Sequence, residues 1–150
     1  MKRVIYVCVL AFPLVSCSAD RMLEWSLRAS AKTLDKELVA LRQADRMVID
    51  ARDDARFEDR GTRDAATIRT VVAFFERYPK GWMILSGASG HYNFYLYRGG
   101  QLVGRVGLTA SSKVLPGVDT LNFGDYFRRI PATEAAAFAA GLDLPWPPHE

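Results

Sequence analysis

Three features of the sequence predict an α+β domain: a single antiparallel sheet of about four to six strands, packed by helices on one face and preceded by an amphipathic N-terminal helix. Apolar residues recur first at helical spacing, then with the two-residue alternation of strands, and near the C-terminus alanines gather into a last short helix. A Gly99-Gly100 pair between two alternating runs marks a hairpin turn. The chain has 150 residues, 49% hydrophobic and 25% charged, enough for one domain with a real core, and no repeat or low-complexity block argues for more.

Leu23, Leu27, Leu34, Leu38 and Leu41 fall within about a 60° arc at 100° per residue, which predicts a helix over residues 20–42. Glu24 precedes Arg28 by one turn, a favourable pair, and Trp25 lies nearly opposite the leucine stripe. Residues 46–52 are rich in branched side chains and read as a strand. Between Asp50 and Asp64, ten of fifteen residues are charged, with like charges four apart and Gly61 interrupting, so a solvated loop is expected. Asp64 is placed to cap a helix whose apolar face is Ile68, Val71, Val72 and Phe75, with residues 79–81 as its stop. Strands are then expected over 82–85, 92–97 and 102–108, with shorter extended pieces over 120–123 and 126–130. Pro131 opens an alanine-rich helix ending near Gly141, and Pro145-Trp146-Pro147-Pro148 reads as an extended tail.

The first residues carry a different kind of signal. Lys2 and Arg3 precede an uncharged run over 4–15, far shorter than the roughly 20 residues of a membrane-spanning helix. That is the pattern of a secretory leader. The run ends in Leu14-Val15-Ser16-Cys17, which resembles the processing box of bacterial lipoproteins: a branched apolar residue, a permissive position, a small residue and the cysteine. The resemblance covers residues 1–18 and implies cleavage before Cys17, with acylation of that cysteine. Ser18 in place of an aspartate implies, by the same resemblance, delivery to the outer membrane of a Gram-negative cell, and the periplasmic side is the expected one. Two or three acyl chains at roughly 0.8 kcal/mol per buried CH₂ would make the attachment stable. The expected organisation is therefore a leader over 1–16, an anchored segment and helix over 17–44, an α+β domain over 45–142 and a Pro-rich tail over 143–150.

Processing changes the charge arithmetic. Lys2 and Arg3 leave with the leader, so 20 basic residues become 18 against 17 acidic ones, and the formal charge falls from +3 to +1. A nucleic-acid partner would need a basic stripe, whereas the mature charges alternate in sign, so none is expected. Cys8 is discarded and Cys17 is acylated, which leaves no thiol for a disulfide, a nucleophile or a metal.

Catalytic constellations are thin. Gly87-Ala88-Ser89-Gly90-His91 lacks the final glycine of a serine-hydrolase elbow, and a strand rather than a helix follows it. Two distant histidines offer no zinc set, and a calcium loop counted from Asp50 fails at Arg52 and Ala55. Neither metal nor cofactor is expected. Asp50, Asp53, Asp54, Glu58 and Asp59 could supply paired acids for glycoside cleavage, but the interleaved arginines would keep both members of any pair ionised. Gly99, Gly100, Gly104 and Gly107 read as turns, bends or bulges of a hairpin.

The most suggestive stretch is aromatic. His91, Asn93, Tyr95 and Tyr97 share one face of a strand and Tyr92, Phe94 and Leu96 the other, which is the core face. The first set, with Arg98 and Arg105 at its border, has the tyrosine–arginine composition that protein interfaces favour. The leading expectation is a non-catalytic, lipid-anchored envelope protein holding a protein partner on this face, as an inhibitor, immunity or assembly factor. Two alternatives stay open: a peptidoglycan-directed enzyme or sugar-binding module, and a structural lipoprotein self-associating through its leucine stripe.

Overall fold

The computed structural model describes residues 33–51, 59–84, 90–110 and 119–146. Leu34 opens helix α1 (Asp35–Ala40), which tightens into a 3-10 turn, Leu41–Gln43. The rest of the predicted N-terminal helix, residues 20–32, lies outside the described residues, as do Cys17 and Trp25. Leu34, Leu38 and Leu41 of the leucine stripe are buried in the domain's core.

Strand β1 (Arg46–Ala51) is followed by β2 (Arg60–Thr62), helix α2 (Ala65–Glu76) and β3 (Met83–Ile84). Then come β4 (Tyr92–Arg98), β5 (Gln101–Thr109), β6 (Asp119–Phe123), β7 (Tyr126–Ile130) and helix α3 (Ala132–Ala140). All pairings are antiparallel in one sheet of order β2-β1-β4-β5-β6-β7-β3. The α+β, single-sheet reading holds, but the sheet has seven strands among the described residues, more than the four to six expected. The unexpected strand is β2, in the charged stretch expected to be loop. Its three residues supply backbone groups to the outer edge of β1, and an edge strand accepts exposed charge such as Arg60 without cost to the core.

Because β2 and β3 sit on opposite edges, the chain between them must cross the whole sheet, and α2 is that crossing. It starts where expected: Asp64 Oδ2 accepts the Thr67 backbone N–H at 2.7 Å and the Thr67 hydroxyl at 2.6 Å, which holds the Asp64 carboxyl below its usual range. Ile68, Val71, Val72, Phe74 and Phe75 are buried on its inner side. Phe75 meets Phe94 of β4 edge-on at 6.3 Å between ring centroids, and Phe74 stacks on Phe138 of α3 at 3.9 Å. Phe94, Leu96, Met47, Ile49, Val106, Leu108 and Leu121 therefore form the sheet side of one core whose lid is the helices. Beyond α3 the chain folds back: Leu144 is buried, and Pro145 accepts the Tyr92 hydroxyl at 2.9 Å.

The β4–β5 hairpin decides which side chains face away from that core. Gly99 and Gly100 both take positive φ, 53° and 84°, as a two-residue turn of this hand requires, and Asp45 accepts the Gly99 N–H at 2.8 Å. Such a turn alone would put Gly104 opposite Tyr95. A bulge between Leu96 and Tyr97 shifts the register, so Leu102 stays opposite Tyr97, Gly104 opposes Leu96 and Arg105 opposes Tyr95. One residue of slip exchanges faces. It sends Val106 and Leu108 into the core and Arg105 out of it, and it turns Gly104 toward Leu41, whose Cδ2 lies 2.4 Å from where a Cβ would stand.

Candidate functional site

The sheet face opposite the helices carries the expected aromatic patch, with a composition that the register settles. Across β1, β4 and β5, Val48, Tyr95 and Arg105 form one row, and Arg46, Tyr97 and Leu102 the next. Tyr95, Tyr97, Val48 and Arg105 are half-buried, Arg46 is exposed, and Leu102 is 54% exposed. The Arg46 guanidinium stands 5.5 Å from the centre of the Tyr97 ring, a cation–π contact that holds the ring against the sheet. The result is a patch of two phenol rings, two aliphatic side chains and two guanidinium groups.

The other sequence-derived site residues are placed differently. Asn93 shares the face of Tyr95 but is only 3% exposed, and its side chain closes on Gly90, accepting that residue's N–H at 3.2 Å and donating to its carbonyl at 3.1 Å. His91 Nδ1 accepts the Ala110 N–H at 3.0 Å, so its ring braces the start of β4 against the end of β5. Arg98 belongs to the opposite face, where it donates to the Gln43 side chain of the 3-10 turn. The structure thus brings together Tyr95, Tyr97 and Arg105, and adds Arg46, Val48 and Leu102, which the strand sequence of β4 alone could not nominate. The turn made Leu102 legible as a partner of Tyr97; Arg46 and Val48 required knowing that β1 pairs with β4.

Ser89 and the acids Asp53, Asp54 and Glu58 lie outside the described residues. Among the described residues, no three His, Cys, Asp or Glu side chains gather as a metal site, and no helix is long and apolar enough to cross a membrane.

A second polar cluster lies on the helix side, beyond the C-terminal end of α2. Tyr78 donates its hydroxyl to Glu134 of α3, and its carbonyl accepts the indole N–H of the fully buried Trp82 at 2.6 Å. Burial pushes the Tyr78 hydroxyl up to about 12, and the hydrogen bond to Glu134 and that carboxylate's charge act the same way, against Arg77 and Arg128. Two guanidinium groups flank the Tyr78 ring, Arg77 at 5.9 Å and Arg128 at 5.1 Å from its centre. Nothing in the sequence pattern joined residues 77, 78, 82, 128 and 134.

Compared with models of known families, with curated proteins and with solved structures, the chain finds no match.

Proposed function

We propose that this chain is a lipid-anchored protein of the bacterial outer membrane that acts without catalysis, holding a protein partner on the face of β1, β4 and β5 opposite the helices. The supporting observation is the division of labour between the two sheet faces. The helices and Leu34, Leu38 and Leu41 cover one face, while the other presents Tyr95, Tyr97, Arg46, Arg105 and an exposed Leu102 in adjoining rows. Tyrosine and arginine are the residues on which protein interfaces concentrate their binding energy, because each offers a large apolar surface with polar atoms at its rim. A small anchored blocker or assembly factor in the periplasm needs little more than such a surface and an attachment, and the Leu14-Val15-Ser16-Cys17 box supplies the attachment.

The test is affinity capture from envelope extract with cross-linking and mass spectrometry, using the native protein and a Tyr95→Ala/Tyr97→Ala variant. One dominant partner, cross-linked beside β4 and β5, is expected, and the double variant should lose about tenfold or more in affinity with its circular dichroism unchanged. Undiminished capture by the folded variant would remove the patch from the proposal. Mass spectrometry of the same preparation should find an acylated Cys17 as the first residue; an unmodified N-terminus elsewhere would refute the anchor.

A further inference from the structure

The most unusual cation in the fold is Arg128. It stands on the helix side of β7, directly opposite Leu121, where an apolar residue would be expected. Its Nε is buried without a hydrogen-bond partner, and no acceptor or carboxylate among the described residues engages the rest of the guanidinium. Its contact is the Tyr78 ring. A guanidinium carries five N–H donors; Nε–H is the one buried here without a partner, and the Nη groups remain able to take an acceptor from outside the fold.

Gly81, at φ +81°, lies beside the guanidinium, and a Cβ there would stand 2.9 Å from Arg128 Nη1, so glycine keeps this side uncovered. Lys80, the preceding residue, is exposed, and the Arg77 guanidinium lies 5.9 Å from the centre of the Tyr78 ring. Three cationic residues thus lie at one ring and the turn beside it. The acid in the cluster, Glu134, is engaged by the Tyr78 hydroxyl and lies 3.7 Å from Arg77.

The geometry points to an oxyanion site at Arg128, with Arg77 and Lys80 at its rim, that takes a phosphate group through the forked N–H donors of the guanidinium. Phosphate fits because arginine pairs with it in two parallel hydrogen bonds, and the charges of Arg77 and Lys80 add positive potential nearby. The position of the site suggests the source. The Leu34 N–H donates to the Pro79 carbonyl at 3.1 Å, so the chain arriving from Cys17 joins the domain next to this turn. A phospholipid headgroup is therefore the natural donor of the phosphate. That assignment rests on the lipid-anchor reading, whereas the oxyanion site itself does not.

The full chain in neutral detergent, with nitrogen-15 label, would be titrated at low salt with inorganic phosphate, with short-chain phosphatidylglycerol and with short-chain phosphatidylcholine. The readouts are the Nε–H signal of Arg128 and the indole N–H signal of Trp82. A saturable shift with phosphate or phosphatidylglycerol is expected, weakening as salt rises. It should be lost in Arg128→Gln and roughly two- to fivefold weaker in Arg77→Gln. Glu134→Gln, which removes the competing carboxylate and keeps Arg128, should bind roughly two- to fivefold more tightly, and this tests the site even if Arg128→Gln does not fold. A response to phosphate but not to phosphatidylglycerol would keep the site and refute the headgroup as its ligand. No saturable shift with either, a shift that survives in folded Arg128→Gln, or unchanged or weaker binding in Glu134→Gln would overturn the proposal.

Discussion

Replacing Gly104 by alanine places a methyl group 2.4 Å from Leu41 Cδ2, well inside van der Waals contact, while the next atoms, Leu41 Cγ and Phe123 Cε2, stand at 3.8 Å. Leu41 is fully buried, so its methyl cannot swing into solvent and must displace its neighbours. Overpacking of this kind costs about 1–3 kcal/mol, against which the reduced freedom of the unfolded chain returns about 0.4–1 kcal/mol. Leu41→Ala alone should cost about 2–5 kcal/mol through the cavity it leaves. In the double variant the new methyl occupies part of the vacated space and the strain disappears. Its cost should therefore fall short of the sum of the single costs by about 1–3 kcal/mol, with the backbone contribution of the alanine cancelling around the cycle. Urea unfolding followed by far-ultraviolet circular dichroism measures each corner. Costs that add within about 0.5 kcal/mol would mean that residue 104 does not face Leu41. In that case the bulge, the register beyond it and the exposure of Arg105 beside Tyr95 would all be wrong together.

Other outcomes follow from the same structure. Tyr78 gains stability from its neutral form: its folded pKa of about 12 exceeds the ordinary value of 10.0, so its contribution is complete below pH 10 and is lost as pH rises toward 12. Absorbance titration should show a late phenol that disappears in Tyr78→Phe; no difference between the two titrations would contradict the part-buried bond to Glu134. Asp64 works in the opposite direction, since its lowered folded pKa gives stability that is present above pH 3.8 and lost as pH falls further. Asp64→Asn, which keeps an acceptor for the Thr67 N–H, should flatten that acid limb yet hold α2 at neutral pH, whereas Asp64→Ala should weaken α2 at every pH; equal behaviour of the two variants by circular dichroism would refute the cap. Trp82→Phe leaves the Tyr78 carbonyl without its indole donor and shrinks a filled site, so a loss of about 2–4 kcal/mol in urea unfolding is expected, and a loss near zero would place Trp82 elsewhere.

Much of the fold was legible wherever a local rule was strong. The Asp64 cap with its apolar helix face, the Gly99-Gly100 turn and the Pro131–Gly141 bracket around the last helix each depend on residues close in sequence. β2 was not legible, because an edge strand of charged and small residues has no pattern of its own and forms where a neighbouring strand offers unpaired backbone groups. The aromatic face was legible in part. Alternation along β4 correctly separated Tyr95 and Tyr97 from Phe94 and Leu96, and wherever alternation persisted it also placed Asn93 beside them. It could not show that Gly90 folds back onto Asn93, nor that Arg98 answers to Gln43 on the other face.

By itself the sequence determined the class of the domain, most of its elements and the two faces of β4, because those follow from periodicity and from turn and cap chemistry within a few residues. Only the tertiary structure decided which residues become neighbours across strands and helices. A single bulge carries Arg105 to the side of Tyr95, the pairing of β1 with β4 adds Arg46 and Val48, and the crossing of α2 brings Tyr78 over Arg128. Register and long-range packing are set by the sum of all contacts in the core, so a side-chain constellation drawn from several elements has no signature in any one of them.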